Sequence, residues 1–201
     1  MIKDSHFLQL KKAIDAIHPI GGECFAKLKE FAKYRTLEKN EYFSKTGDFN
    51  EDFGFVINGI LRIFYLSEGG QEHNKHFLPP NSFVAASIKS DQKSITSIQA
   101  LSSTQLICIK FSSFISLVKK YDQLSVFMQK LIENYLEEKQ KREIQLLSRT
   151  AEENYYFFLD NNAELEEIIP DYHIASYLGI TPTQLSRIRR KQNLKAINIC
   201  K

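Results

Sequence analysis

Residues 169–192 read IPDYHIASYLGITPTQLSRIRRKQ, which spells a helix, a tight turn and a second helix. Ile174, Leu178, Leu185 and Ile188 fall at helical spacing on either side of Gly179, and Ala175 is small enough to let two helices approach closely. Gly179 can take the positive φ that a sharp turn needs. The second helix carries its own start signal, with Thr181 as N-cap, Pro182 at the first helical position and Gln184 closing a capping box. A helix beginning at 182 is therefore expected. On a helical wheel Leu185, Ile188 and Gln192 point one way, whereas Thr183, Arg187 and Arg190 point the other, flanked by Gln184, Ser186 and Lys191.

An outward face of hydroxyl, amide and guanidinium groups suits base edges and phosphates in a major groove. The charge distribution agrees. Residues 181–201 hold six Lys/Arg and no Asp/Glu, while the whole chain is only +3, which leaves −3 for residues 1–180. Positive charge is thus concentrated at the end that carries the helical hairpin.

Working outward, 201 residues with 43% hydrophobic and 25% charged side chains suit one large domain or two small ones. Cys24, Cys108 and Cys200 are widely spaced and odd in number, which argues for a reducing compartment and against a zinc site or disulfide framework. The amino-terminal MIKDSHFLQLKK lacks the apolar core of a signal peptide and no apolar run is long enough to span a membrane, so a cytoplasmic location is expected.

Phe7, Leu8, Leu10, Ile14 and Ile17, then Phe25, Leu28 and Phe31, mark two amphipathic helices broken by Pro/Gly at 19–22. From Tyr34 to Lys110 the pattern changes. Five of the eight glycines lie between 47 and 70, and short β-rich runs such as FGFVIN, ILRIFYLS, EHNKHFL and TQLICIKF alternate with turn residues. That rhythm predicts an antiparallel sandwich or barrel. His73 and His76 sit three apart on one of these runs, so regular alternation would aim them at opposite faces and deny them a shared metal.

Beyond Ser113 the periodicity is helical. Leu124, Met128, Leu131 and Tyr135 fall at i, i+4, i+7 and i+11, widened by Ile132 and Leu136, and no Gly or Pro interrupts 112–169. A helix over roughly 121–147 would be about 40 Å long, more than the small β-region can cover, so Leu124, Met128, Leu131 and Tyr135 are expected to pair with a second copy. Ser148 to Thr150 reads as a hinge, because Thr150 and Glu153 form a second capping box that opens a helix running to about Asn161.

IASYLGITPTQLSRIRRK resembles the helix-turn-helix of the Crp/Fnr superfamily of bacterial transcription regulators. The β-region is similar to that superfamily's cyclic-nucleotide-binding-like roll at YFSKTGD (42–48), FVINGIL (55–61) and FLPPNSF (77–83), so the resemblance covers nearly the whole chain. It implies an α+β protein with an N-terminal double-stranded antiparallel β-roll (a jelly roll) at 1–120, a long dimerisation helix and hinge at 121–148, and a helix-turn-helix domain at 149–201. Double-stranded DNA with a palindromic operator, a second copy of the chain and RNA polymerase are the implied partners, with no membrane, no enzymatic activity and no cofactor. An iron–sulfur sensor would need clustered cysteines near the amino terminus, and Cys24 stands alone.

One departure matters. Where cyclic-AMP-binding members offer a Gly-Glu pair and an Arg before a small hydroxyl residue, this chain has Ala85 and Ala86, then Lys93, Ser94 and Ile95. Alanine accepts no hydrogen bond from a ribose, and lysine lacks the planar fork that grips a phosphate bidentately. Cyclic AMP binding in the usual mode is not expected, and Lys93 and Ser94, with Lys89, remain candidates for another anion. By the resemblance Pro182, Thr183 and Arg187 occupy base-reading positions, Arg187 being the candidate for guanine. Thr181, Gln184 and Ser186 are candidates for further DNA contacts, and Arg189, Arg190, Lys191 and Lys195 for phosphate clamps. After Arg190 only KQNLKAINICK follows, room for at most one short β-element, so a wing is minimal or absent.

Overall fold

The computed structural model describes the backbone of residues 2–49, 51–89 and 91–199, with side chains up to Lys191. Two helices, α1 (Asp4–Ile17) and α2 (Gly22–Glu30), precede eight strands. These are β1 (Lys33–Leu37), β2 (Tyr42–Ser44), β3 (Asp52–Asn58), β4 (Leu61–Leu66), β5 (Glu72–Leu78), β6 (Phe83–Ala85), β7 (Ser97–Ala100) and β8 (Thr104–Lys110). Five helices follow: α3 (Phe111–Lys120), α4 (Asp122–Ser148), α5 (Ala151–Ile168), α6 (Asp171–Leu178) and α7 (Pro182–Ile199).

The strands form two four-stranded sheets, ordered β1-β8-β3-β6 and β2-β7-β4-β5, and every pairing is antiparallel. Their facing sides enclose Phe43, Val56, Leu61, Leu78, Val84, Ile98 and Leu106. This is the expected double-stranded roll. Phe53, Phe55, Ile57, Ile107 and Ile109 point to the outer side of the first sheet, where α1, α2, α3 and the start of α4 cover them with Ile14, Leu28, Phe114 and Phe127. Phe53 stacks on Phe114 with ring centroids 4.1 Å apart.

Gly59 makes the β3–β4 corner possible. Its φ is +87°, and a Cβ there would lie 2.5 Å from the Ser103 carbonyl oxygen, so only glycine fits.

Three local features differ from the sequence expectation. In β5, Ile63 pairs with His76 but Phe64 pairs with Asn74, which leaves Lys75 as an extra residue in a β-bulge. The bulge cancels the alternation, so His73 and His76, opposite Tyr65 and Ile63, project from one face. They still serve separate surroundings: His73 stacks on Tyr65 at 5.0 Å, and no group of His, Cys, Asp or Glu suited to a metal occurs among the described residues. Secondly, Leu8 and Phe31, read as part of apolar stripes, are 58% and 43% exposed. Thirdly, α5 runs on to Ile168 through a kink at Asn162 (φ −145°, ψ 34°), where the Asn162 side-chain amide donates to the Phe158 carbonyl.

The long helix α4 has 27 residues, as its pattern predicted, but its two halves differ. Leu124 and Phe127 are completely buried against α1, α3 and the first sheet. Leu124 therefore belongs to this chain's own core and is not available to a partner, a correction to its assignment as a pairing residue; the first turns of α4 are needed to close the core at Phe114 and Phe83. Met128 and Leu131 are half-buried against the same core. From Glu133 to Ser148 all residues except Arg142 and Gln145 are exposed, among them Tyr135, Leu136, Ile144, Leu146 and Leu147.

Candidate nucleic-acid interface and effector cavity

The hairpin of α6 and α7 is built as its residues dictate. Gly179 takes φ +70° and ends α6, and the Ile180 amide returns to the Ala175 carbonyl at 3.0 Å. The Thr181 amide donates to Gln184 Oε1 at 2.9 Å while the Gln184 amide donates to Thr181 Oγ1 at 3.2 Å, the reciprocal pair of a capping box. Ile174, Ala175 and Leu185 are fully buried between the helices, joined by Tyr155, Phe158 and Leu165 of α5.

This packing leaves Thr183, Ser186, Arg187 and Arg190 exposed on α7. Gln184 and Thr181 are also exposed, but their polar atoms hold the helix start, which ties up two of the groups expected to contact DNA. Arg189 is elsewhere. Its Nη1 lies 2.6 Å from Asp171, its Nη2 lies 2.8 Å from Glu166, and its Nε donates to the Tyr155 hydroxyl at 3.1 Å. Arg189 is thus an internal clasp of α5, α6 and α7, not a phosphate clamp: the helical step that aims Arg187 and Arg190 outward turns Arg189 back toward α5. Burial, then the bond to Glu166, pushes the Tyr155 phenol up to about 12, so it stays protonated as a donor to that carboxylate. Lys191 is 2.6 Å from Glu152, though its side chain is 60% exposed and such a pair is weak. The Lys195 side chain lies outside the described residues. Where one short strand had room to form, residues 191–199 continue α7 as helix.

The helical hairpin does not hang free of the roll. Helix α6 lies against β4 and β5 through a buried polar cluster that sequence reading missed. Arg62, only 3% exposed, donates from Nε and Nη2 to Gln99 Oε1 and pairs with Glu72 at 2.6 Å, with its Nη1 3.2 Å from His173 Nδ1. The Asn74 side-chain amide donates to the His173 carbonyl, and the Asn74 backbone amide donates to Ser176 Oγ. Burial and the neighbouring Arg62 charge lower the His173 pKa to about 4, so the imidazole is neutral at ordinary pH. Phe77 and Phe158 pack on Tyr177, whose other neighbour is the Arg142 guanidinium, 3.5 Å from its ring centre. An arginine in the middle of the apolar run ILRIFYLS was the available signal, since a buried charge demands partners.

A cavity of about 700 Å³ opens between α1, the roll and α4. Ala85, Ala86, Lys93 and Ser94 line it, as do Met128, Leu131 and Tyr135 from α4. Two of the cassette residues are already engaged. The Ser94 hydroxyl shares its one proton between the Ala86 and Thr96 carbonyls, 3.0 and 2.7 Å away, and accepts from the Thr96 amide, and the Lys93 ammonium sits over the Phe49 ring at 5.7 Å. The structure thus gives Ser94 to its own turn, whereas an anion site would need that hydroxyl free.

Comparison with known proteins agrees with this geometry. The family described as "Cyclic nucleotide-binding domain" matches residues 34–121. The transcriptional activator protein Anr of Pseudomonas protegens is 26% identical over 79% of this chain and 70% of its own length. The regulatory protein HlyX of Actinobacillus pleuropneumoniae is 22% identical over 77% and 69%. Among solved structures, FixK2 from Bradyrhizobium japonicum superposes with a TM-score of 0.74 at 19% identity, covering 83% of this chain and 86% of that one. The global regulator CLP of Xanthomonas campestris gives 0.71 at 11% identity, covering 88% and 93%. A β-roll of the cyclic-nucleotide-binding type, a long helix and a capped helical hairpin make this chain similar to these regulators over more than three-quarters of its sequence.

Proposed function

We propose that this protein is a homodimeric, sequence-specific DNA-binding transcription regulator without enzymatic activity, with the roll as its sensing domain and a division near residue 148. The observation that carries the reading is the exposed face of α7, where Thr183, Ser186, Arg187 and Arg190 stand on a helix fixed by its cap and by the Arg189 clasp. Arg187 makes the bidentate guanine contact and Arg190 contacts phosphate. The exposed second half of α4 pairs with that of a second copy, and the two recognition helices then read half-sites about 34 Å apart. RNA polymerase is the expected protein partner, and the cavity beside α4 is the effector site. Binding to fragments of the source genome tests this. Arg187→Ala is expected to cost about 1 to 3 kcal/mol and to relax one operator position, while Arg190→Ala weakens all sequences alike. Uniform loss for Arg187→Ala removes it as a base reader.

A further inference from the structure

The cavity against α4 suits a particular ligand chemistry, an inference that rests on its reading as the effector site. Its volume, about 700 Å³, lies within the roughly 300–1,000 Å³ of small-molecule sites. Ile17, Phe83, Ile88, Ile95, Leu131 and Ile132 supply a wall of aliphatic and aromatic carbon. The polar groups are unevenly placed. The β5 bulge inserts Lys75 beside His76, and both line the cavity. Lys75 is half-buried, and the two influences on its ammonium, burial and the charge of Lys139 on α4, both disfavour its charge. Arg142 adds positive potential at His76, which burial keeps neutral down to about 4. Glu138 is the carboxylate of the lining; it is solvent-exposed and is not among the groups acting on Lys75.

A half-buried ammonium with no carboxylate paired to it among the described residues, at the edge of an apolar chamber, is stabilised by an anion that brings its own apolar body. We propose that the cavity binds an amphipathic organic monoanion, with a hydrocarbon chain or ring against Phe83, Leu131 and Ile132 and a carboxylate-type head at Lys75, hydrogen-bonded by neutral His76. A cyclic nucleotide is excluded from that arrangement, because Ala85 and Ala86 offer no side-chain acceptor for ribose and Ser94 is engaged in its own turn.

Calorimetric titration of the full chain with decanoate and phenylpropanoate, beside methyl decanoate and cyclic AMP, tests the assignment. One decanoate per chain is expected, with the methyl ester and Lys75→Met each weakening binding about 10- to 100-fold, the range of a lost charge-assisted hydrogen bond. Ala86→Phe or Leu131→Phe should narrow the chamber and weaken binding; two positions are used so that one well-folded variant, checked by its melting transition, is available. Equal affinity for acid and ester, tighter binding of cyclic AMP, binding of full strength in both narrowed chambers, or none of either acid at millimolar concentration each overturns the proposal. Operator binding measured without ligand on the same preparations separates the two failures: DNA recognition that persists when decanoate does not bind rejects the ligand class alone.

Discussion

Arg187 and Arg189 lie two residues apart on one helix and do opposite things. Arg187 is exposed, whereas Arg189 holds Glu166, Asp171 and the Tyr155 hydroxyl. Arg189→Ala removes the cation that Asp171 and Glu166 share and is expected to destabilise the protein by about 2 kcal/mol, as lost bonds to charged groups do. Arg187→Ala should shift stability by less than about 0.5 kcal/mol, because nothing in the fold depends on it. Thermal melting of both variants checks the contrast; equal melting temperatures would mean the clasp contributes nothing. The sequence announces the difference only in part. The wheel separates Thr183, Arg187 and Arg190 from Leu185 and Ile188, but Arg189 falls between those faces, and its acids lie 18 and 23 residues away.

Element boundaries governed by neighbours in sequence were legible. Both capping boxes, Thr150 with Glu153 and Thr181 with Gln184, formed at the positions read from the chain, and the glycine corner at Gly59 lies where the β-run breaks. Features set by pairing partners were not. The Lys75 bulge depends on the register between β4 and β5, which no periodicity within β5 records, and β1 (KYRTL) has too few apolar residues to announce a strand until β8 covers it. Helix α4 shows the same limit, since its single apolar stripe serves the core as far as Leu131 and is bare beyond Glu133. Placing a charge on the bare part, Leu136→Glu together with Ile144→Glu, should turn a dimer into a monomer in sedimentation experiments without lowering the melting temperature of the single chain. A dimer that persists would move the interface off this helix.

At the scale of the molecule, buried His173 and half-buried His76 tie stability to pH. His173 faces Arg62, Glu72 and Asn74, and His76 lies under the influence of Arg142; both pKa values are lowered from 6.5 to about 4, burial being the larger cause. The unfolded chain takes up these protons first as acid is added, so stability is level above pH 6.5 and falls between 6.5 and 4. Melting temperatures across that window check it, and His173→Gln should make the fall shallower. An unchanged slope in that variant would assign the acid sensitivity to other groups.

Strands β4 and β5 act as a partition one strand thick. Leu78, His76 and Ile63 line the cavity on one side, while their chain neighbours Phe77 and Arg62 seat the helical hairpin on the other. The shortest route from one compartment to the other is a single peptide unit. A guest pressing on Ile63 or His76 would need no relay across the molecule, because the wall it displaces is also the floor on which α6 stands.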